Sequence, residues 1–172
     1  MNEYLHLFDF DYTLYRTIEQ VYVWSPRGDF IKNGKKSIRL NSQDFFFYKT
    51  GEDEHINESS FCDFSSVNFA KAQPIHPVLD IFNNAKKKTI LTARPHSCEN
   101  SIRKSLRGDY DFFGLGDGDP EKKINFIKSI GKDKIIVYED SPMVIDLCKQ
   151  NSIDNVFVKS HLKKLNLDYT FY

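Results

Sequence analysis

The sequence predicts an α/β protein: a doubly wound, Rossmann-like parallel sheet with helices on both faces. Three observations predict it. An apolar run, Leu5-His6-Leu7-Phe8, leads directly into Asp9 and Asp11. From Pro74 onward, short apolar runs alternate with amphipathic helical stretches. Between them, residues 15–74 are aromatic and turn-rich, and read as a small cap or flap inserted after the first strand. The 172 residues suit a single domain, residues 1–172, with enough chain to bury a core.

Each element has its own signal. Leu5 to Phe8 reads as a buried strand, with Asp9 and Asp11 at its C-terminal end. Inside the insertion, Val21-Tyr22-Val23-Trp24 reads as a strand ended by Ser25-Pro26-Arg27-Gly28. Phe30-Ile31-Lys32 and Ser37-Ile38-Arg39-Leu40 flank Asn33-Gly34, a strong hairpin signal. Phe45-Phe46-Phe47-Tyr48 is a further strand candidate, residues 51–60 read as a polar loop, and residues 61–69 are mixed. His76-Pro77 opens a helix with Val78, Leu79, Ile81, Phe82 and Ala85 on one face, and Lys86 to Lys88 suit its C-terminal dipole. Thr89-Ile90-Leu91 is a strand followed by Thr92-Ala93-Arg94. Pro95 opens a second helix running to about Arg107 and closed by Gly108. Tyr110 to Leu115 is a third strand, and Asp119-Pro120 an N-cap followed by an N1 proline. Lys134 to Tyr138 is a fourth strand tipped by Glu139-Asp140, Ser141-Pro142 caps the next helix, and Val156-Phe157-Val158 is a fifth strand.

Composition excludes several classes of function. Lys plus Arg equals Asp plus Glu, at 24 each, so no global basic field advertises nucleic-acid binding. Local basic clusters remain at Lys86-Lys87-Lys88 and Lys163-Lys164. Three scattered cysteines, Cys62, Cys98 and Cys148, without a CxxC, argue against a disulfide framework or zinc ribbon and for free thiols in a reducing compartment. No apolar run approaches membrane-spanning length and the N-terminus lacks signal-peptide form, so a cytoplasmic protein without a membrane partner is expected.

In a parallel sheet the strand ends face one way, toward the crevice where ligands bind. Asp9 and Asp11, Thr92, one of Lys122 or Lys123, and Glu139 with Asp140 then converge. Lys123 fits better than Lys122, because Ile124, Phe126 and Ile127 then fall on the buried face. Two carboxylates about 4 Å apart repel by roughly 4 kcal/mol at an effective dielectric near 20. Four carboxylates and one ammonium leave a negative pocket, which asks for a hard divalent cation; oxygen-only ligands favour Mg²⁺, which also accepts a phosphate partner. Arg94, two residues past Thr92, is placed to grip a phosphate bidentately.

These motifs resemble those of haloacid-dehalogenase-superfamily phosphatases. Phe8-Asp9-Phe10-Asp11-Tyr12-Thr13-Leu14 is similar to the family's DxDx[T/V] motif, Ile90-Leu91-Thr92 to its second, a helix-start Lys to its third, and Tyr138-Glu139-Asp140 to its paired acids. They occur in the family's order over residues 5 to about 158. Phe-Asp-Phe-Asp, Leu-Thr-Ala-Arg and Tyr-Glu-Asp together resemble small phage and large-virus members and the phosphatase-like domains of RNA-repair proteins. Tyr12 departs from the small or acidic residue common at its position; it would narrow the entrance, stack on a base, or pack on the insertion.

The resemblance implies Mg²⁺-dependent phosphomonoester hydrolysis through an aspartyl-phosphate. Asp9 would be the nucleophile and Asp11 the general acid and base. Thr92 and Lys123 would hold the phosphoryl oxygens, with Ala93 and Arg94 beside them at the substrate. Asp9, Glu139, Asp140 and the Asp11 carbonyl would hold the metal, with Glu139 alternatively standing behind the ligands. The expected partner is a phosphorylated small molecule, such as a nucleotide, or a nucleic-acid end. Two other functions compete: a non-hydrolytic phosphoryl-accepting regulator, as in receiver domains, and a phosphate-binding protein without turnover.

Overall fold

The computed structural model describes residues 3–41, 44–45, 48–57, 67–131 and 134–167. β1 (Leu5–Phe8) is followed by a short β2 (Tyr15–Arg16), then β3 (Gln20–Trp24), β4 (Phe30–Lys32), β5 (Lys35–Asn41), β6 (His55–Ile56) and β7 (Gln73–Pro74). The alternating half follows: α1 (His76–Asn84), β8 (Lys88–Thr92), a 3₁₀ turn (His96–Cys98), α2 (Glu99–Arg103) and β9 (Asp111–Gly114). It continues through α3 (Pro120–Ser129), β10 (Ile135–Glu139), α4 (Pro142–Gln150), β11 (Asp154–Phe157) and α5 (Val158–Lys164).

The main sheet has the order β11-β10-β1-β8-β9, and every pairing in it is parallel. Its central strands are buried on both faces, which explains their continuous apolar runs. Side chains alternate between two cores. Phe8 and Ile90 pack with Val78, Phe82, Ile102 and Val158, from α1, α2 and α5. Leu7 and Leu91 pack with Ile124, Ile127, Val144 and Cys148, from α3 and α4. The expected α/β sheet covered by helices on both faces is therefore present. Among the described residues, no helix is long and apolar enough to cross a membrane.

Within residues 15–74, β2 and β7 pair antiparallel, Tyr15 opposite Pro74, and close the neck of the insertion. Beyond them, β4-β5-β3-β6 form a four-stranded antiparallel sheet. Asn33 and Gly34 both have positive φ, 52° and 76°, the backbone that a two-residue hairpin turn requires.

Several expectations need correction. Phe45 and Tyr48 are not in a strand. Asn41 Oδ1 accepts the Asp44 N–H at 2.7 Å, a capping bond, and Asp44 and Phe45 are helical. Phe46 and Phe47 lie outside the described residues, as do Cys62 and residues 58–66. The polar loop yields a short strand, β6. The helix after Pro95 is a 3₁₀ turn and then α2, ending at Arg103; Ser105 and Leu106 N–H groups both bond to Ile102 O as the chain leaves the helix. Lys88 belongs to β8, yet its Nζ donates to Phe82 O at 3.0 Å and Asn83 O at 3.3 Å, satisfying the last carbonyls of α1. Val158 opens α5 instead of ending β11, and Glu139 is the last residue of β10.

Candidate active site

Chain geometry at the end of β1 is set by a tight turn. The Phe10 carbonyl accepts from Leu14 and Tyr15, at 3.0 and 3.1 Å, and Tyr12 takes φ 56°. A left-handed residue other than Gly costs about 1–2 kcal/mol, so surrounding contacts must hold it. The Tyr12 N–H donates to Tyr15 O at 2.6 Å, and its hydroxyl to Thr17 O at 3.4 Å, in the insertion's neck. Burial, then the nearby Asp11 carboxylate, pushes the Tyr12 phenol up to about 12. Tyr12 thus packs on the insertion.

The strand tips bring one group of charges together. Lys123, on the first turn of α3, is buried, and its Nζ donates to Asp9 Oδ1 at 2.8 Å and Glu139 Oε2 at 2.6 Å. The α3 cap positions it: Asp119 accepts the Glu121 N–H at 3.0 Å, with Pro120 at N1. Burial alone would lower the Lys123 ammonium, but the Asp9 and Glu139 carboxylates outweigh it and hold the ammonium well above its ordinary range. Lys122, by contrast, is exposed and pairs with Asp117.

Carboxylate oxygens of Asp9, Glu139 and Asp140 lie within 4.8 Å of one another, and all three residues are buried. Burial, then repulsion from Glu139, raises the Asp9 carboxyl to about 7 against the opposing pull of Lys123. Glu139 is heavily engaged: its Oε1 also accepts the N–H groups of Asp140 and Ser141, at 3.2 and 3.1 Å. It steadies Lys123 and the turn into α4 as well as facing Asp9 and Asp140.

Asp11 is held elsewhere. Arg94 Nε donates to Asp11 Oδ2 at 2.8 Å and its NH2 to Oδ1 at 2.7 Å, while the Thr17 hydroxyl makes a short bond to Oδ1. A further Arg94 bond, 2.8 Å, goes to Glu19 of the insertion. The Arg94 side chain is 1% exposed. Arg94, expected as a phosphate grip, borders the cavity, and its guanidinium clasps the chain's own carboxylates. Burial works against its charge, yet Asp11 and Glu19 raise its affinity for the proton further.

The turn after β8 is shaped by contact. A Cβ on Gly114 would lie 2.7 Å from Arg94 O and His96 N, so β9 approaches this turn as only glycine can. Thr92 is fully buried at the cavity wall; its hydroxyl accepts the Arg94 N–H at 3.2 Å. Ala93 is exposed at the rim.

These groups line a cavity of about 510 Å³, within the size range of small-ligand sites. Asp9, Asp11, Thr92, Lys123, Glu139 and Asp140 all border it. Val21 and Phe45 of the insertion close one side, and Lys159 of α5 another. Sequence reasoning did not find Thr17, Glu19, Val21 or Lys159. Lys159 had one faint signal, its place just after the fifth strand, where a parallel sheet turns toward the crevice. Cys98 and Cys148 are buried free thiols, pushed up by burial to about 11 and about 12. Asp146 is an exposed surface acid and pairs with Lys149 at 3.3 Å. Comparison of the chain with family models, curated proteins and solved structures returns no match.

Proposed function

We propose that the protein is a phosphomonoester hydrolase of the haloacid-dehalogenase type, dependent on Mg²⁺ and working through an aspartyl-phosphate. One observation carries the reading: Lys123 bridges Asp9 and Glu139 at adjacent parallel strand tips, beside Asp140 and in the cavity that Thr92 also lines. The central position of β1 in the order β11-β10-β1-β8-β9 supports it.

The donors fit a hard cation. Three buried carboxylates face one ammonium, so the cluster is short of positive charge, and burial, then Glu139, raises the Asp9 carboxyl. Asp9, Glu139 and Asp140 would hold Mg²⁺, with the Asp11 carbonyl. When bound, the ion supplies that charge and a Lewis-acid contact for a phosphoryl oxygen. Lys123 orients Asp9 through Oδ1, leaving its other oxygen to attack phosphorus. As that bond forms, the ester P–O bond breaks and the leaving oxygen takes a proton from Asp11. Asp11 then takes a proton from water as the water oxygen attacks phosphorus. The bond to Asp9 breaks, and inorganic phosphate leaves. Lys123 and the Thr92 hydroxyl stabilise the charge on the transferring group. A phosphorylated nucleotide or a nucleic-acid end is the substrate class that follows from the resemblance.

A second reading has its own observation. Both Asp11 oxygens are engaged by Arg94 and Thr17, so a proton-transfer role requires Asp11 to leave that clasp. If it stays, Asp9 accepts a phosphoryl group without fast turnover, as a regulator would.

Phosphate release separates the readings. The substrates are an aryl phosphate, nucleoside 5′- and 3′-monophosphates, and terminally phosphorylated oligonucleotides, with Mg²⁺ or with EDTA. Metal-dependent release that vanishes in Asp9→Asn is expected. A stable phosphoprotein without release selects the regulatory reading, and neither outcome in a folded protein overturns both.

A further inference from the structure

We propose that the outward face of the insertion's four-stranded sheet docks single-stranded nucleic acid. The register places its residues together. Tyr22 stands opposite Arg39, Phe30 and Trp24 opposite Ser37, and Lys32 opposite Lys35, while His55 pairs beside Trp24. Paired residues share a face, so aromatic rings and cations collect on one side. No Asp or Glu occupies this face of the four strands. One loop acid, Asp53, shares a hollow of about 300 Å³ with Trp24, Lys35 and His55.

A cation lies over each ring. Tyr22 and Phe30 stack with centroids 5.8 Å apart and planes 29° from parallel. Lys32 Nζ sits 4.5 Å over Tyr22, Lys35 Nζ 4.1 Å over Trp24, and Arg39 4.6 Å over Phe30. Lys35, Arg39 and His55 are exposed; the rings and Lys32 are half-buried. In a chain with no net charge, this face carries three fixed cations and no strand carboxylate.

That combination selects the partner. An exposed cation over a ring contributes about 2- to 5-fold in affinity. A nucleobase stacked on the ring contributes about 5- to 150-fold. A base therefore displaces the lysine, and the freed ammonium reaches the adjacent phosphate. A duplex offers no free base faces. A bilayer calls for rings that protrude, whereas these are half-buried.

On the same strand, Val21 points to the other side and lines the cavity. A docked strand thus lies one sheet thickness from the site. A strand terminus as the reacting end is a corollary that rests on the phosphatase reading; the docking itself needs no chemistry.

The test is fluorescence anisotropy with labelled oligothymidylate and oligouridylate lacking terminal phosphates, in EDTA, across a salt series. Salt-sensitive binding is expected, unchanged in Asp9→Asn. Lys32→Gln/Lys35→Gln/Arg39→Gln should weaken it at least about tenfold and flatten the log–log salt slope by about 2, the share of three phosphate contacts. Tyr22→Leu should weaken it about fivefold or more without changing that slope. Absent binding at low salt, equal binding by all variants, preference for duplex, or capture by anionic vesicles instead of oligonucleotides would each overturn the proposal. Phosphate release that persists after such a result would leave the phosphatase reading standing.

Discussion

At the scale of single residues, Lys123 has the largest electrostatic consequence. It is the ammonium between Asp9 and Glu139, and all three are nearly inaccessible to water. Removing one member of a buried ionic cluster strands the others, at about 3–5 kcal/mol. Lys123→Met in EDTA should lower Tm by roughly 6–20 °C, as a domain of this size loses about 2–4 °C per kcal/mol. Thermal melting checks this; an unchanged Tm would show that Lys123 is not the compensating charge. The charged residues of this cluster were legible because each follows an apolar run or a cap: Asp9 after Leu5 to Phe8, Glu139 and Asp140 after Ile135 to Tyr138, Lys123 after Asp119-Pro120. Arg94 was read beside the site as a phosphate grip, and its carboxylate clasp was not foreseen. Its true partners include Glu19, 75 positions away in the insertion, and no local pattern reports a contact of that range.

At the scale of elements, Glu54 holds the insertion's loops together. Its buried carboxylate accepts from the Tyr48 hydroxyl at 2.6 Å, the Gly51 N–H at 2.8 Å, the Ser25 hydroxyl at 2.7 Å and Arg27 at 2.6 Å. Those four donors, the Tyr48 bond first, hold its carboxyl well below the usual carboxylate range. A carboxylate depressed in the folded state stabilises fully above its unfolded pKa, about 4.3, and loses that contribution as pH falls through its folded value. Below about pH 4.3 the loop around residues 48–54 should therefore loosen, and Glu54→Gln should abolish that acid step while weakening the loop at neutral pH. Limited proteolysis across the acid range reads both effects; identical pH profiles for the two proteins would refute it. Sequence reading saw this segment as a polar acidic loop, because four donors from two separate stretches converge only after folding. The Asn33-Gly34 hairpin was legible because its turn depends on those two residues alone. Phe45, expected in a strand, is helical because the Asn41 capping bond overrode aromatic propensity.

At the scale of the whole molecule, the parallel sheet was legible from alternation, since helices on both faces leave a mark on every strand. The outer sheet's aromatic face was not, because pairing of Tyr22 with Arg39 and Lys32 with Lys35 depends on register. Metal binding should act on the entire fold. An ion that binds only the native state at a hundredfold over its Kd adds about 2.7 kcal/mol. Mg²⁺ at such excess should raise Tm by roughly 5–10 °C, and Asp140→Asn should remove most of that rise. A wild-type melt indifferent to Mg²⁺ would take the cation out of the site. The sheet order also has a consequence for synthesis. β1 pairs with Lys88 to Ile90 on one side and with Ile135 to Tyr138 on the other, so both neighbours are made long after it. Hairpins such as β4–β5 close in about 1–10 μs once formed. At about 5–20 residues per second, the ribosome needs roughly 7–26 s between Leu5 and Ile135. Of the sheet's five strands, the apolar one that leads into Asp9 thus waits longest for its second neighbour, and for that interval it is open to any other unpaired strand in reach.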